Sequence, residues 1–580
     1  MSTQISRLTD NAQSFSKVGK WFRDSQGRYV LFRGVNFASR SKLPPYLPIA
    51  PLNVHDINQL DLKKEIESVK PQLDLLRHLG LNIVRILISW KAIEPRPNPN
   101  LEELLPEAKR YLGFMNEIID ELYKRDLYVL LDFHQDIAHE IYGGDGFPDW
   151  ALAIDRKHKK PKPSNLRDKK WQTAYMISKL VKNTLRSFWE NSLDNMEVGL
   201  QNYPVRTHLE KTVGQTIKFF QGYDRKDQQG QGPSKGHPAI IGIEPFNEPH
   251  PVGLRDFEPK YLFQYYLNIE SEIRKYDNKI FLFIEPGVDW TMAERESDVP
   301  QPAHGPFSIK RTFNLGFIRN TMIEGKVISK NIHTYLPKGE LIEALKHRSV
   351  LSFHYYEPLA ILGALAKIPE NMYRFKREWP DIFAQLVIAA TERDLIPFLT
   401  EFGGVQGDEQ FREFIDLQFA QIESNLLNST YWNYDLYNTV EGKDNWNMED
   451  FSLLGPARTP RNIEVIARPY PLRSSAEPTL LSFDIDSKNA AIGLSGEIIR
   501  DSPTVIYVPY HYHYSPSFRV WATSKEMEWD KANQLMYWYP SPNETENHII
   551  FSKSERLDTE SLPKKLETLL TKTEFVGTFT

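Results

Sequence analysis

Eight short apolar runs alternate with stretches of helical periodicity along residues 29–435, and no other feature narrows the fold as far. The runs are YVLFRGVNF (29–37), NIVRILISW (82–90), YVLLDFHQD (128–136), IIGIEPFNEP (240–249), KIFLFIEP (279–286), SVLSFHYY (349–356), IPFLTEFGG (396–404) and STYWNYD (429–435). Their length and near-continuous apolar content suit strands buried on both faces of a parallel sheet. Between them, Val69, Leu73 and Leu76 share one helical face with Gly80 placed as a C-cap, and Leu262, Tyr266, Ile269 and Ile273 share another. Pro71 is expected to start or kink the first of these helices. Strand and helix repeated eight times predict an α/β fold, a (β/α)8 TIM barrel.

The pattern changes near residue 470, where RPYPLRSSAEP reads as a linker. Beyond it short alternating segments (481–486, 490–499, 503–509, 517–523, 534–539, 547–552) predict a C-terminal antiparallel β-sandwich. The expected division is a barrel over 1–469, with a long insertion at about 155–235, and a sandwich over 470–580. Within the sandwich, His511 and His513 are two apart and would share one face of a strand. With no third ligand in view, an aromatic sheet face is expected there rather than a metal site.

Charge and composition close off several functions. A net charge of −5 gives no global basic field, so nucleic acid is not an expected partner. The absence of cysteine excludes disulfides and thiolate metal sites. The first 20 residues hold no apolar signal-like core and no run of 18 apolar residues occurs, so a cytoplasmic or peripherally membrane-associated location is expected.

Polar residues cluster where the predicted strands end, the side on which barrels of this kind do their chemistry. Glu248 and Glu401 close two strands far apart in sequence and join His134, His354, Tyr356 and Trp432 at that end. Hydrolysis of an acetal needs a proton for the leaving oxygen and a nucleophile or activated water, which two carboxyls in opposed protonation states supply. Glu244, four residues before Glu248, reads as a buried partner for Arg33 or Arg85, and Glu285 remains a spare carboxyl.

Asn247-Glu248-Pro249, Thr400-Glu401-Phe402-Gly403, His354-Tyr355-Tyr356, Arg85 and His134 together resemble glycoside hydrolase family five. FRGVNFASRSKLP (32–44), DFHQD with GGDGFPDWAL (132–136, 143–152) and a sandwich after RPYPL (468–472) narrow the resemblance to its glycolipid-cleaving members, the endoglycoceramidases, glucosylceramidases and steryl-β-glucosidases. The resemblance implies a retaining glycosidase with Glu248 as acid/base and Glu401 as nucleophile, without cofactor or metal. It further implies Asn247 at the sugar 2-hydroxyl, Tyr356 and Arg85 on Glu401, His134 and Asp136 on other hydroxyls, His354 beside the carboxyls, Trp432 beneath the ring and Lys42 as a further contact.

Two segments bear on a lipid substrate. RKHKKPKPSNLRDKK (156–170) sets eight Lys or Arg against one Asp and reads either as a solvated basic loop or as a flap onto anionic headgroups. EPLAILGALAKI (357–368) is apolar for a loop at a barrel mouth and reads as a rim helix or as a strip for a lipid aglycone. The expected activity is hydrolysis of a glucosyl unit or short glycan from a glycolipid. The alternatives are an endo-β-1,4-glucanase and, more distantly, a non-catalytic carbohydrate- or membrane-binding barrel.

Overall fold

The computed structural model describes residues 12–153, 174–175, 178–191, 203–222, 236–288, 310–315, 318–323, 326–332, 336, 342–357, 368–406, 410–555 and 573–580. The basic stretch 156–170 and positions 358–367 of the apolar loop lie outside them.

All eight expected barrel strands form: β1 (Arg33–Phe37), β2 (Ile83–Ile88), β3 (Tyr128–Phe133), β4 (Ile240–Glu244), β5 (Phe281–Ile284), β6 (Ser349–Tyr355), β7 (Ile396–Phe402) and β8 (Asn428–Tyr434). They pair in parallel and in chain order, and β8 returns to β1 to close the barrel. Helices α1 (Leu62–His78), α2 (Pro106–Tyr123), α3 (Lys179–Glu190), α4 (Val205–Phe220), α5 (Phe263–Arg274), α6 (Ile368–Thr391) and α7 (Gln410–Ser424) follow the connections. α4 falls inside the span read as an insertion, yet it packs against α5 through Asn268 to Glu210 and Lys211 to Glu272. α1 begins at Asp61, whose side chain accepts from the Lys64 N–H, and runs through Pro71 rather than starting there.

Strand alternation sorts the barrel interior into layers. Phe32, Ile83, Tyr128, Leu130, Ile241, Phe281, Phe283, Val350, Ile396 and Phe398 fill the amino-terminal end as one apolar cluster, which Phe15 and Phe22 seal from below. Two residues further along the strands the inward positions turn polar: Asn36, Arg85, Asp132, Glu244, Ser352 and Thr400, all buried. The outward positions of the same strands join the large core beneath the helices.

The carboxyl-terminal sandwich has two sheets. A five-stranded one contains Glu477–Phe483, Ala490–Ser495, Glu546–Ser552, Phe518–Ala522 and Glu574–Phe579 in that spatial order. The other has seven strands, three of them from the start of the chain: Ser16–Val18, Trp21–Arg23 and Tyr29–Val30. The presumed linker supplies its fourth strand, Tyr470–Ser474, fully buried and paired with Thr504–Tyr507. Its side chains, not its prolines, decide the outcome: Tyr470 and Leu472 enter the core and Arg473 pairs with Asp24.

The Tyr510–Tyr514 run is a single π-helical turn, not a strand. His511 and His513 therefore do not share a sheet face. His511 stacks on His78, and His513 Nε2 lies 2.9 Å from the carbonyls of Glu464 and Ala467.

Candidate active site

At the carboxyl ends of the strands the polar layer is organised by Arg85. Its guanidinium is fully buried and reaches Glu244 at 2.6 Å, Glu401 at 2.7 Å and Asp132 at 3.1 Å, with Glu285 at 3.9 Å. It also donates to Asn36 and Asn247 at 2.9 Å each. Burial works against the charge, but the surrounding carboxylates outweigh it and hold the guanidinium above its ordinary range. Arg85 therefore pairs with Glu244, whereas Arg33 turns outward to Glu423 at 3.2 Å. Glu285 is fully buried, and its carboxyl is pushed up by burial and by Glu244. It accepts the Glu248 N–H at 3.1 Å, which places it behind Glu248.

Glu248 follows β4 with a left-handed backbone, φ 46°, and its side chain meets His354 Nδ1 at 2.9 Å. His354 Nδ1 is also 3.5 Å from Glu401. Carboxylate oxygens of Glu248 and Glu401 and a ring nitrogen of His354 all lie within 4.8 Å of one another. Burial and the charge of Asp136 push Glu248 up to about 7, while burial pulls His354 down. Both shifts favour the uncharged forms, so a protonated Glu248 facing a neutral His354 is the arrangement the site selects. Glu401 sits in a different setting, with Arg85 Nη1 at 2.7 Å and the Tyr356 hydroxyl donating at 2.9 Å. That guanidinium opposes a metal cation between the two glutamates.

Asn247 is 1% exposed and held on both sides, accepting from Arg85 and donating to the Gln135 carbonyl at 3.1 Å. His134 lies between Asp132 (2.7 Å) and Asp136 (3.2 Å). Burial and Lys42 oppose its protonation, but the two aspartates prevail and raise it to about 10. Lys42 Nζ is 2.6 Å from Asp136 and sits 4.5 Å from the Trp432 ring and 3.9 Å from the Trp446 ring. The imidazole of His134 stacks on Trp432, centroids 5.7 Å apart, and the Trp432 indole N–H donates to Glu449 at 2.9 Å. The structure thus gathers Lys42, Arg85, His134, Asp136, Asn247, Glu248, His354, Tyr356, Glu401 and Trp432 at one barrel end. It adds Asn36, Asp132, Asp145, Trp446 and Glu449, which the strand pattern did not single out. Asp145 lay within the quoted GGDGFPDWAL; Trp446 and Glu449 belong to a loop without periodicity, visible only once folded.

Residues 50–202 and 236–438 match the cellulase (glycosyl hydrolase family 5) domain. The chain belongs to glycosyl hydrolase family 5. Residues 468–550 match the glycoside hydrolase family 5 C-terminal domain, which begins two residues before the buried Tyr470–Ser474 strand. Relatives include a glucosylceramidase of Rhizopus delemar, 21% identical over 86% of this chain and 89% of its own length. An endoglycoceramidase I of Rhodococcus hoagii is 23% identical over 86% of this chain and 80% of its own. Among solved structures, the sterylglucosidase 1 of Cryptococcus neoformans shares the fold with a TM-score of 0.67 at 16% identity, covering 94% of this chain and 98% of that one. This family 5 member is accordingly a glycoside hydrolase, with a closed barrel and a C-terminal antiparallel domain.

Proposed function

We infer that the protein is a retaining β-glycosidase that cleaves glycolipids by double displacement. The observation that carries the mechanism is the unlike setting of two carboxyls within 4.8 Å: Glu248 raised to about 7 beside a neutral His354, Glu401 hydrogen-bonded by Arg85 and Tyr356. That spacing suits attack by a carboxylate, whereas an inverting pair stands roughly 6.5–9.5 Å apart to admit a water. Glu401 Oε attacks the anomeric carbon as the glycosidic bond breaks, and Glu248 passes its proton to the departing oxygen. Glu248, now a carboxylate, takes a proton from water, whose oxygen displaces Glu401 and frees the sugar.

The glycolipid part rests on relatives of nearly matching length whose names are glucosylceramidase, endoglycoceramidase and sterylglucosidase. A substrate anchored in a bilayer would bring the barrel mouth to a membrane surface without a spanning segment, and among the described residues no helix is long and apolar enough to cross a membrane. The test is a parallel assay on glucosylceramide, a steryl glucoside and cello-oligosaccharides, scoring released sugar and lipid, with Glu401→Gln as control. Release of free lipid from the first two supports the reading. Turnover of cello-oligosaccharides alone replaces it with a glucanase, and labelling of a residue other than Glu401 by a 2-fluoro-glucoside overturns the assigned nucleophile.

A further inference from the structure

The wall of the site beside His134 and Asp136 contains a carboxyl that nothing in the mechanism uses. Asp145 is 2% exposed, and its Oδ2 has no hydrogen-bond partner among the described residues. A carboxylate oxygen of Asp145 lies within 4.8 Å of ligand atoms of both His134 and Asp136. The backbone holds it there firmly, because Asp145 and Asp136 exchange N–H to carbonyl hydrogen bonds of 2.9 and 3.3 Å. Gly144, at the same turn, approaches so closely that an added Cβ would fall 1.7 Å from the Asp136 carbonyl oxygen. A buried acceptor of this kind is costly to leave unpaired, and a ligand hydroxyl would satisfy it.

Glu449, on the loop after β8, reaches the same wall through Trp432, whose ring stacks on His134. It accepts from the Trp432 indole N–H, and its carboxyl is pushed up to about 8 by burial and Asp444. Burial and Asp136 push Asp145 up to about 7. Lys42 serves both groups electrostatically but is bound to Asp136 and lodged between two indole rings. The loop that brings Trp446 and Glu449 inward is knotted on Asp444 Oδ1, which accepts the N–H groups of Trp446, Asn447 and Glu449. Lys42, Asp136, Asp145 and Trp446 are each no more than 4% exposed, so among the described residues this end of the site is walled by buried side chains.

We propose that Asp145 and Glu449 grip the hydroxyls of one terminal hexose remote from its anomeric carbon, and that the wall they form with Lys42 and Trp446 restricts cleavage to single sugars. The proposal rests on the glycosidase reading and adds the glycon: an unextended β-glucosyl-type unit, rich in hydroxyl donors that match two acceptors.

The test uses the full chain and the isosteric variants Asp145→Asn and Glu449→Gln on aryl β-glucosides and their 4-deoxy and 6-deoxy analogues. Each variant is expected to lose about tenfold in kcat/KM on the parent glucoside, the scale of one hydrogen bond. The loss should vanish on the analogue that lacks the gripped hydroxyl, because the contact is then already absent. Equal losses on every analogue, or none on the parent, overturn the assignment. Glucosylceramide should yield glucose, and lactosylceramide should yield no lactose; release of intact lactose overturns the single-sugar wall. If the unaltered protein hydrolyses neither β-glucosides nor glucosylceramide or lactosylceramide, the glycosidase reading fails by itself. Binding of a glucose-shaped iminosugar, followed by calorimetry in the two variants, then decides the pocket: about tenfold weaker binding supports it and unchanged binding overturns it.

Discussion

At the scale of single residues, two identical side chains differ because their neighbours differ. Glu248 faces a neutral imidazole and Asp136, whereas Glu401 faces a guanidinium and a phenol. If Glu248 supplies the proton, Glu248→Ala should cut turnover of lipid and alkyl glucosides by about 100-fold or more, while aryl glucosides with acidic leaving groups retain most of their glycosylation rate. Pre-steady-state kinetics on the two classes separate these outcomes. The pH dependence has a definite sign: kcat/KM should fall as pH rises through about 7, because the required proton leaves a group raised from 4.5 to about 7. The same shift bears on stability. A carboxyl whose folded value is raised stabilises the fold below its unfolded value and loses that contribution as pH rises through the folded one. Glu248→Gln should therefore be more stable than the parent at pH 8, on the order of 2 kcal/mol, with the advantage shrinking towards pH 5. Thermal melts at the two pH values check it.

At the scale of elements, the eight strands were legible because each is a short, nearly unbroken apolar run bounded by polar ends. Only six of the twelve described sandwich strands were legible: the three amino-terminal strands, Met527–Asp530 and Glu574–Phe579 had no counterpart among the alternating segments, and RPYPL concealed a strand because prolines and an arginine mask its burial. Arg468, just before that strand, shows why the region is rigid: it is 1% exposed and bonds Glu423 at 2.7 and 3.0 Å and Asp416 at 2.5 Å, tying α7 to the sandwich. Arg468→Ala should destabilise the protein by about 3 kcal/mol, since it leaves the buried Glu423 with Arg33 and the Phe483 N–H as its remaining partners. Urea unfolding measures the loss, and a change within error would show that Arg33 suffices. The His511 and His513 pair illustrates the opposite failure: alternating Tyr and His suggest a strand, but Pro509 and Pro516 bracket a turn too short for one.

At the scale of the whole molecule, the amino terminus reaches across the barrel floor into the carboxyl-terminal sheet. Phe22 is fully buried and packs edge-on against Phe32 at 5.1 Å and Phe281 at 5.0 Å. The apolar floor of the barrel is thus completed by a strand that belongs to the other sheet. Phe22→Ala should cost about 3–5 kcal/mol and, because the floor supports both sheets, lower the unfolding midpoint as one cooperative transition. Two resolved transitions in calorimetry would show that the barrel and sandwich unfold independently.

Local sequence determined the elements and much of the site. Strand length, burial on both faces and polar strand ends are properties of seven to ten consecutive residues; His134, Glu248 and Glu401 stand out because polarity at the end of an apolar run is conspicuous, whereas Arg85, inside Ile83–Ile88, stands out through the family resemblance. Tertiary structure alone decided the pairings and the protonation states. Glu244 pairing with Arg85 while Arg33 takes Glu423, Glu285 standing behind Glu248, the N-terminal strands joining a sheet more than 400 residues away, and Lys42 pairing with Asp136 all join positions remote in the chain. Desolvation and Coulomb forces depend on distances in three dimensions, so the opposed settings of two glutamates follow from the closure of the barrel and from no stretch of sequence read by itself.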